Sequence, residues 1–297
     1  MAEAPTLDFA GFVERRKAER TGGVATSEHD YSYVLDRQTR ATFESAKPIE
    51  LAVASAVRVF KERERGRLLG NAVKVSDRQF PRIHRIAKEC SETLGIVPPQ
   101  VYIVNSPHLN AGTFGTDEES FIVVHSALVD HYTDEELRFV IGHECGHVHN
   151  KHVVYLTTLH FLHVLAQHYL GLLVAPAVLP LNAWSRRAEI TCDRAGMLCA
   201  KNSEIAARAL TKLVVGSKKL YEEFNLDAFL EQYEEGKENI GRYMEAFATH
   251  PYLPKRVLAM RVFAESALYG ERVGKQGAGL TMVEVDDRVK GLLKGDA

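Results

Sequence analysis

Two histidines and a glutamate near the middle of the chain have a spacing that could bind a metal ion and activate water. His143, Glu144 and His147 form the pattern HExxH, with Cys145 inside it. Residues four apart in a helix lie about 40° from each other around the axis, so both imidazoles can bind one cation. Glu144 projects about 100° from His143, beside the metal, where it can take a proton from the attacking water. Cys145 faces the opposite side and is predicted to be a core residue.

Two carboxylates further along the chain could complete such a site. A catalytic zinc ion takes three protein ligands, and Glu189 is the best candidate for the third. Asp193 lies four residues later, a spacing that suits a carboxylate holding a ligand histidine by its other ring nitrogen. Cys192, between them, is predicted to be a small buried residue. The metzincin pattern HExxHxxGxxH is excluded, because Asn150 and Val153 occupy its glycine and third-histidine positions.

A helix is predicted to carry the HExxH motif. Thr133 followed three residues later by Glu136 is the signature of a capping box, in which each side chain accepts a hydrogen bond from the other residue's amide. The helix should begin at Asp134 and run through His149 or beyond.

Strand and helix signals precede this helix. Two short runs rich in β-branched residues, 101–105 and 121–125, predict β-strands. Before them, a helical pattern is predicted to start with Ser76 as its N-cap and to stop at Gly95.

The composition excludes several classes of function. The chain has 297 residues, 45% hydrophobic and 26% charged, so a globular fold with a sizeable core is expected. A net charge of -2 provides no field that would attract nucleic acid. The four cysteines form no CxxC pair, which predicts reduced thiols. Residues 1–20 lack the pattern of a signal peptide, so we expect a cytoplasmic protein.

The stretch from Val153 to Ser185 contains no Asp, Glu, Lys or Arg. Pro176 and Pro180 interrupt it, and two bilayer crossings need about 40 apolar residues. We therefore expect a pair of helices that are buried in protein or dip into a membrane surface, with peripheral membrane contact through 153–185 at most. A spanning hairpin is the alternative.

Five further histidines follow the motif, and a second metal cluster is one interpretation of them: His149, His152, His160, His163 and His168. On a continued helix, His149 and His152 would point away from the zinc face. His160 and His163 have no nearby carboxylate to complete a site. We therefore interpret these side chains as hydrogen-bonded or surface histidines.

Three ordered motifs resemble one family of zinc peptidases. HECGH is followed by SRRAEITCDRAG at 185–196 and by ATHPYLPKR at 248–256. This order is similar to that of metallopeptidase family 48, the HtpX and type I CAAX prenyl protease family of the gluzincin clan. Upstream, GNAVKVSDRQFP, PPQVYIV and NAGTFG also resemble that family. The resemblance covers about two thirds of the chain, from Leu69 to Val262.

The resemblance implies a site with one zinc ion per chain. It implies His143, His147 and Glu189 as the ligands, Glu144 as the general base, and Asp193 as the carboxylate behind a ligand histidine.

The resemblance also implies three features that the motifs alone leave open. His250 would donate to the tetrahedral oxyanion. The strand that contains Phe121, Val123 and His125 would be a sheet edge that aligns the substrate by β-augmentation. Arg256 occupies a position where family members carry a basic residue.

These observations predict an α+β fold: a mostly helical gluzincin-type domain with a small antiparallel sheet. We expect a helical N-terminal extension over 1–75, the metallopeptidase domain over 76–270, and a linker and tail over 271–297. Many members of the family carry long transmembrane helices, whereas this chain has only the interrupted stretch 153–185, so a soluble or peripherally attached member is expected.

The predicted function is that of a zinc endopeptidase acting on polypeptides, with water activated by Glu144. The alternative is a zinc-stabilised, chaperone-like or binding scaffold with weak or gated proteolysis. The presence of Glu144 and His250 favours the enzyme, because a structural zinc site needs neither a base nor an oxyanion donor.

Overall fold

A small sheet and two long helices carry most of the residues of the predicted site. The computed structural model describes residues 29–43, 49, 52–53, 55, 66, 70–116, 119–165, 171–236, 253–275 and 277–293. From Tyr31 onward, the described residues belong to one compact unit.

The strands are β1 (Ala72–Lys74), β2 (Gln100–Val104), β3 (Ala111–Gly115) and β4 (Ser120–His125). The helices with described bounds are α1 (Val34–Phe43), α2 (Pro81–Leu94), α3 (Ser126–His131), α4 (Asp134–His149), α5 (Val153–Leu165), α6 (Gly171–Ala200), α7 (Ser203–Val215), α8 (Lys218–Glu222), α9 (Leu226–Gly236), α10 (Leu253–Ala264), α11 (Ala267–Arg272) and α12 (Met282–Leu292). This pattern confirms the predicted class, a mostly helical α+β domain with a small sheet.

The sheet is mixed, whereas an antiparallel sheet was expected. Its strand order is β1-β2-β4-β3, and β2 pairs with β4 in parallel while the two outer pairs are antiparallel. The reason is that β3 and β4 form a tight hairpin, in which Gly115 has a φ of 121°. This hairpin places β3 on the outside and returns β4 alongside β2 in the same direction.

The strand that was expected at a sheet edge is an internal strand. Phe121, Val123 and His125 belong to β4, which pairs with β2 on one side and β3 on the other. The edge expectation is therefore wrong for β4, because both rows of its backbone hydrogen-bonding groups are used within the sheet. At this end of the sheet the edge strand is β3.

The helix α4 begins as predicted. The Thr133 side chain accepts a hydrogen bond from the Glu136 amide, and the Glu136 carboxylate accepts one from the Thr133 amide at 2.8 Å. The helix starts at Asp134 and ends at His149, which confirms the bounds expected from the capping box.

The preceding helix α2 starts later than predicted. It begins at Pro81, because proline is favoured in the first turn of a helix, where its missing N–H is not needed. Ser76 is not the N-cap and instead closes a turn with Gln79. The predicted stop at Gly95 is confirmed, with a φ of 69°.

The helices α4 and α6 approach each other closely at three glycines. A Cβ atom on Gly142 would lie 2.6 Å from the Cβ of Cys199, and one on Gly146 would lie 2.8 Å from the Cβ of Ala195. On the other helix, a Cβ on Gly196 would lie 2.7 Å from the carbonyl oxygen of Phe139. A side chain at any of the three positions would push the helices apart.

The charge-free stretch forms α5 and the first part of α6, which confirms a pair of helices over the described residues. Tyr155, Leu159, Leu181 and Trp184 are buried in a cluster that also includes Phe43 of α1. Among the described helices, none combines the length and apolar character that a bilayer crossing requires. Membrane contact through this segment remains a prediction, as does a cytoplasmic location.

Segments on both sides of the expected peptidase domain pack into the same unit. Arg194 of α6 donates to the Tyr31 carbonyl at 3.1 Å and to Asp286 of α12 at 2.8 Å. Asp286 also accepts a hydrogen bond from the Val34 amide. The domain limits at 75 and 270 remain predictions, but both flanking segments contribute polar contacts to a buried arginine of α6.

We predict that Gly196→Ala destabilises the fold and weakens metal binding together, because the added methyl group would separate α4 from α6. Overpacking of this kind costs about 1–3 kcal/mol. Gly291→Ala in α12 is the control, since its Cβ would meet no atom within 4 Å. Alanine should change stability there by at most about 1 kcal/mol in the favourable direction. Thermal unfolding with and without zinc measures both effects, and equal behaviour of the two variants would contradict the prediction.

Candidate metal centre

Two facing helices supply the side chains of the predicted centre. His143, Glu144 and His147 lie on α4, while Glu189 and Asp193 lie on α6. All five side chains are buried, with at most 8% of any residue exposed. The structure therefore brings together residues that are 42 to 50 positions apart in the sequence.

His143, His147 and Glu189 have potential ligand atoms that lie close together. The Nε2 atom of His143 lies 3.5 Å from Oε2 of Glu189, and the Nε2 atom of His147 lies 3.6 Å from Oε1 of the same carboxylate. Ligand atoms of the three residues all lie within 4.8 Å of one another. Ligands at about 2.0–2.2 Å from a tetrahedral zinc ion are separated by such distances. Two imidazoles and one carboxylate are also a known donor set for catalytic zinc.

Asp193 holds the ring of His143 from behind. Its Oδ1 atom lies 3.0 Å from Nδ1 of His143, so the proton belongs on Nδ1 and the lone pair of Nε2 faces Glu189. Burial lowers the pKa of His143, but the charge of Glu189 and the hydrogen bond with Asp193 outweigh it and raise that pKa. The same negative surroundings favour a bound cation.

Arg256 of α10 binds both carboxylates of α6. It forms two hydrogen bonds with Asp193, at 2.8 and 2.6 Å, and an ion pair with Glu189 at 2.9 Å. Burial alone would raise the pKa of Asp193, but the guanidinium charge outweighs it and holds this pKa below its ordinary value. The sequence pointed to a basic residue here without a role, and the structure places it against the orienting carboxylate.

Glu144 lies beside the three clustered ligands and is held by the edge strand. Thr113 of β3 donates to Oε2 of Glu144 at 2.6 Å and lies 3.2 Å from its backbone carbonyl oxygen. Sequence reasoning missed Thr113, because the strand signals are confined to 101–105 and 121–125, and β3 lies between them. No local motif marks a threonine that becomes a neighbour of residue 144 only after the sheet has formed.

His152 lies close to the predicted site, contrary to expectation. The helix α4 ends at His149, and Lys151 adopts a φ of 56°, so the chain turns back at this point. The His152 amide consequently donates to the carbonyl of His147, and Nδ1 of His152 lies 3.2 Å from Nδ1 of His147. The expectation that His152 points away from the zinc face assumed a continued helix and is wrong for that reason.

The other predicted site residues lie elsewhere. Phe121 and Val123 pack in a separate small apolar cluster with Phe114 and Tyr102. The ring of His125 lies next to the carbonyl of His108, at 3.2 Å. Neither set includes one of the clustered ligands.

One predicted residue cannot be placed. His250 lies outside the described residues, and its assignment as oxyanion donor remains a prediction. His168 lies outside them as well.

We predict that Asp193→Asn lowers zinc affinity by about 10- to 100-fold, the usual effect of losing a partner behind a metal ligand. The amide keeps the shape of the side chain but removes the charge that holds His143 and Arg256. Asp227→Asn is the matched control, since Asp227 pairs with Arg261 at the surface, where its side chain is 76% exposed.

Competition with a chelator of known zinc affinity measures the effect. Equal affinities for Asp193→Asn and Asp227→Asn would contradict it, and Glu189→Ala should weaken zinc binding more than either, because a direct ligand is lost.

Comparisons with known proteins find relatives that are named as a metallopeptidase and as proteases. The plastoglobule-localized metallopeptidase 48 of Arabidopsis thaliana is 37% identical over 174 residues, which cover 55% of this chain and 49% of that protein. The chain thus spans about half the length of this relative. The HtpX protease homologues of Tropheryma whipplei and Moorella thermoacetica are 26% and 27% identical, over 65% and 64% of this chain and 76% and 74% of theirs.

No solved structure matches the chain. The sequence profile of Peptidase family M48 matches residues 77–263, more than half of the chain. The matched region contains His143, His147 and Glu189, whose ligand atoms the fold brings within reach of one metal ion. The relatives, the profile and the donor set agree, and the chain belongs to peptidase family M48, a family of metallopeptidases.

Proposed function

We propose that the chain is a zinc-dependent endopeptidase that hydrolyses peptide bonds in polypeptides with one zinc ion per chain. The observation that carries this proposal is the convergence of two imidazole nitrogens and one carboxylate within 4.8 Å, next to a fourth residue, Glu144, that is not part of that ligand set. A structural zinc site fills all four positions with protein ligands, whereas a catalytic site has three and keeps one open.

Glu144 is the proposed general base. When bound, the zinc ion polarises the scissile carbonyl and lowers the pKa of the attacking water. Thr113 donates to Oε2 of Glu144, so we assign the proton of the attacking water to Oε1. Glu144 then passes this proton to the leaving amine, which must be protonated to depart.

Asp193 and Arg256 prepare the ligand side of the site. Asp193 keeps the proton of His143 on Nδ1, so that Nε2 presents its lone pair. Arg256 compensates the charge of Asp193 and part of the charge of Glu189, which would otherwise repel each other inside the protein. His250 is proposed to donate to the oxyanion, on the strength of its motif alone.

The edge strand β3 is proposed to align the substrate, in place of β4. The carbonyl of Asn110 accepts from the His125 amide of β4, so backbone groups at 110, 112 and 114 face the sheet. The Gly115 amide donates instead to Thr157 of α5, which indicates that odd-numbered positions face away from β4. The backbone of Thr113 therefore faces outward, and a substrate strand could pair with it directly beside Glu144.

A scaffold with weak or gated proteolysis is the rival proposal. Both versions bind zinc through the same residues, so metal content does not separate them. The hydrogen bond between Thr113 and Glu144 favours the enzyme, because a scaffold has no need to orient a carboxylate that does not bind the metal.

We predict that Glu144→Gln retains zinc and the fold but lowers peptide hydrolysis by at least about 100-fold, since a positioned proton acceptor is lost. Glu135→Gln, an exposed residue in the first turn of α4, is the matched control and should behave as wild type. Cleavage of an unfolded protein, with zinc content measured on the same samples, tests the prediction. Equal cleavage by wild type and Glu144→Gln would show that a contaminant cleaves the substrate, and would favour the scaffold proposal.

Pairing with β3 also predicts an alternating pattern along the substrate. Methylation of a backbone N–H that bonds to β3 removes one hydrogen bond, worth about 0.5–1.5 kcal/mol or roughly 2- to 12-fold in kcat/KM. Alternate N–H groups near the cleaved bond should be sensitive, because those between them face away from the strand. A peptide series methylated at one position at a time measures this, with methylation far from the cleaved bond as the control. If methylation lowered kcat/KM at consecutive positions rather than at alternate ones, pairing of the substrate with β3 would be excluded.

A further inference from the structure

Asp36 of α1 lies near the metal helices, although it is outside the region 77–263 that the family profile matches. It is buried, with 1% of the residue exposed. Its Oδ1 atom accepts a hydrogen bond from the indole of Trp184 at 2.8 Å, and its Oδ2 atom accepts one from Thr191 at 2.6 Å. Thr191 lies between Glu189 and Asp193 on α6, so Asp36 is attached to the helix that carries the carboxylates.

His152 connects this carboxylate to a predicted zinc ligand. Its Nε2 atom lies 3.1 Å from Oδ2 of Asp36, and its Nδ1 atom lies 3.2 Å from Nδ1 of His147. The ring is completely buried and packs edge-on against Trp184. Asp36, His152 and His147 therefore form a continuous line of polar contacts that ends at the metal site.

One arrangement of protons is consistent with the short distances in this line. His147 faces Glu189 with Nε2, so a neutral ring carries its proton on Nδ1. That proton can be donated to Nδ1 of His152, which then carries its own proton on Nε2, the nitrogen that lies 3.1 Å from Oδ2 of Asp36. The negative charge of Asp36 favours this tautomer of His152, and the tautomer in turn favours the metal-binding form of His147.

We propose that Asp36 and His152 are positioning residues that orient the metal ligand His147, so that a segment outside the matched family region completes the metal site. Asp193 does this directly for His143, whereas His147 is held through a second imidazole. The proposal rests on the proposed function, because it takes His147 as a zinc ligand. It predicts that zinc affinity depends on a residue more than a hundred positions upstream of the HExxH motif.

A second metal ion is the competing explanation of the same cluster. Ligand atoms of His147, His152 and Cys192 also lie within 4.8 Å of one another, with Sγ of Cys192 at 3.2 Å from Nδ1 of His147. Two ions would share the ring of His147, which would have to lose both of its protons. Cys192 would also have to be a thiolate in a buried region that already holds several carboxylates. Hydrogen bonding requires neither, so the positioning role is favoured.

The first test compares zinc binding by wild type, Asp36→Asn and Thr191→Val, using the full chain and zinc alone as the probe. Asp36→Asn keeps the shape of the side chain but removes the charge that faces His152. Zinc affinity should fall by about 10- to 100-fold, the range for partners behind a metal ligand. Thr191→Val is the control, because it removes another hydrogen bond of Asp36 while leaving its contact with His152. Its melting temperature should fall, and its zinc affinity should stay near that of wild type.

The second test asks whether Asp36 acts through His152. In His152→Gln the amide nitrogen can take the place of Nε2 beside Asp36, but no atom replaces Nδ1 as the acceptor for His147. Zinc affinity should therefore fall to a similar extent. Adding Asp36→Asn to this variant should then change the affinity little, because the connection is already broken. The visible spectrum of bound Co²⁺ should shift in both single variants and remain as in wild type for Thr191→Val. Either single variant suffices for the test if the other fails to fold.

The outcomes separate this inference from the proposed function. Absence of zinc binding by wild type overturns the proposed function itself. Zinc binding by wild type with unchanged affinity in Asp36→Asn or His152→Gln overturns the positioning role alone. The positioning role is also overturned if the effects of Asp36→Asn and His152→Gln on the free energy of zinc binding are fully additive, since Asp36 would then act independently of His152. Two zinc ions per chain, of which one is lost in Cys192→Ser, would establish the second metal site instead.

Discussion

The close approach of α4 and α6 makes the proposed metal centre possible. Gly142, Gly146 and Gly196 allow backbone and side-chain atoms to pass within distances at which an added Cβ would clash. Only at this separation can one carboxylate of α6 reach two imidazoles of α4. Protein cores are close-packed, so small changes in volume at these glycines should displace the proposed ligands rather than be absorbed.

Once the helices are this close, the charges between them have to be balanced. Glu144, Glu189 and Asp193 are buried near one another, and Arg256 is the cation that binds two of them. Three carboxylates against one guanidinium leave a negative region, which favours a divalent cation. The carboxylates that define the ligand side of the centre are therefore stabilised by a residue of α10, well separated from them in sequence.

The centre is also supported by parts of the chain that flank the family match. Tyr31 accepts a hydrogen bond from Asn150 at the end of α4, and its hydroxyl lies 2.8 Å from the ring of His149. Arg194 connects the same segment to Asp286 in α12. These contacts hold the end of α4 and the second half of α6, so segments on both sides of the family match support the same pair of helices.

Features that depend on neighbouring residues could be predicted from the amino-acid order alone. The capping box at Thr133 predicted where α4 begins, and the four-residue spacings predicted which side chains share a helical face, because both follow from helix geometry. The family assignment followed from three motifs, because their residues and their order along the chain can be recognised without the structure. Only the folded chain reveals that β4 is internal, that Thr113 meets Glu144, that Arg256 binds Asp193, and that His152 turns back to His147. Most of these features depend on segments that are distant in sequence and that meet only after folding. Their separation is set by how the helices with the three glycines and the sheet pack together, and no local sequence pattern encodes that packing.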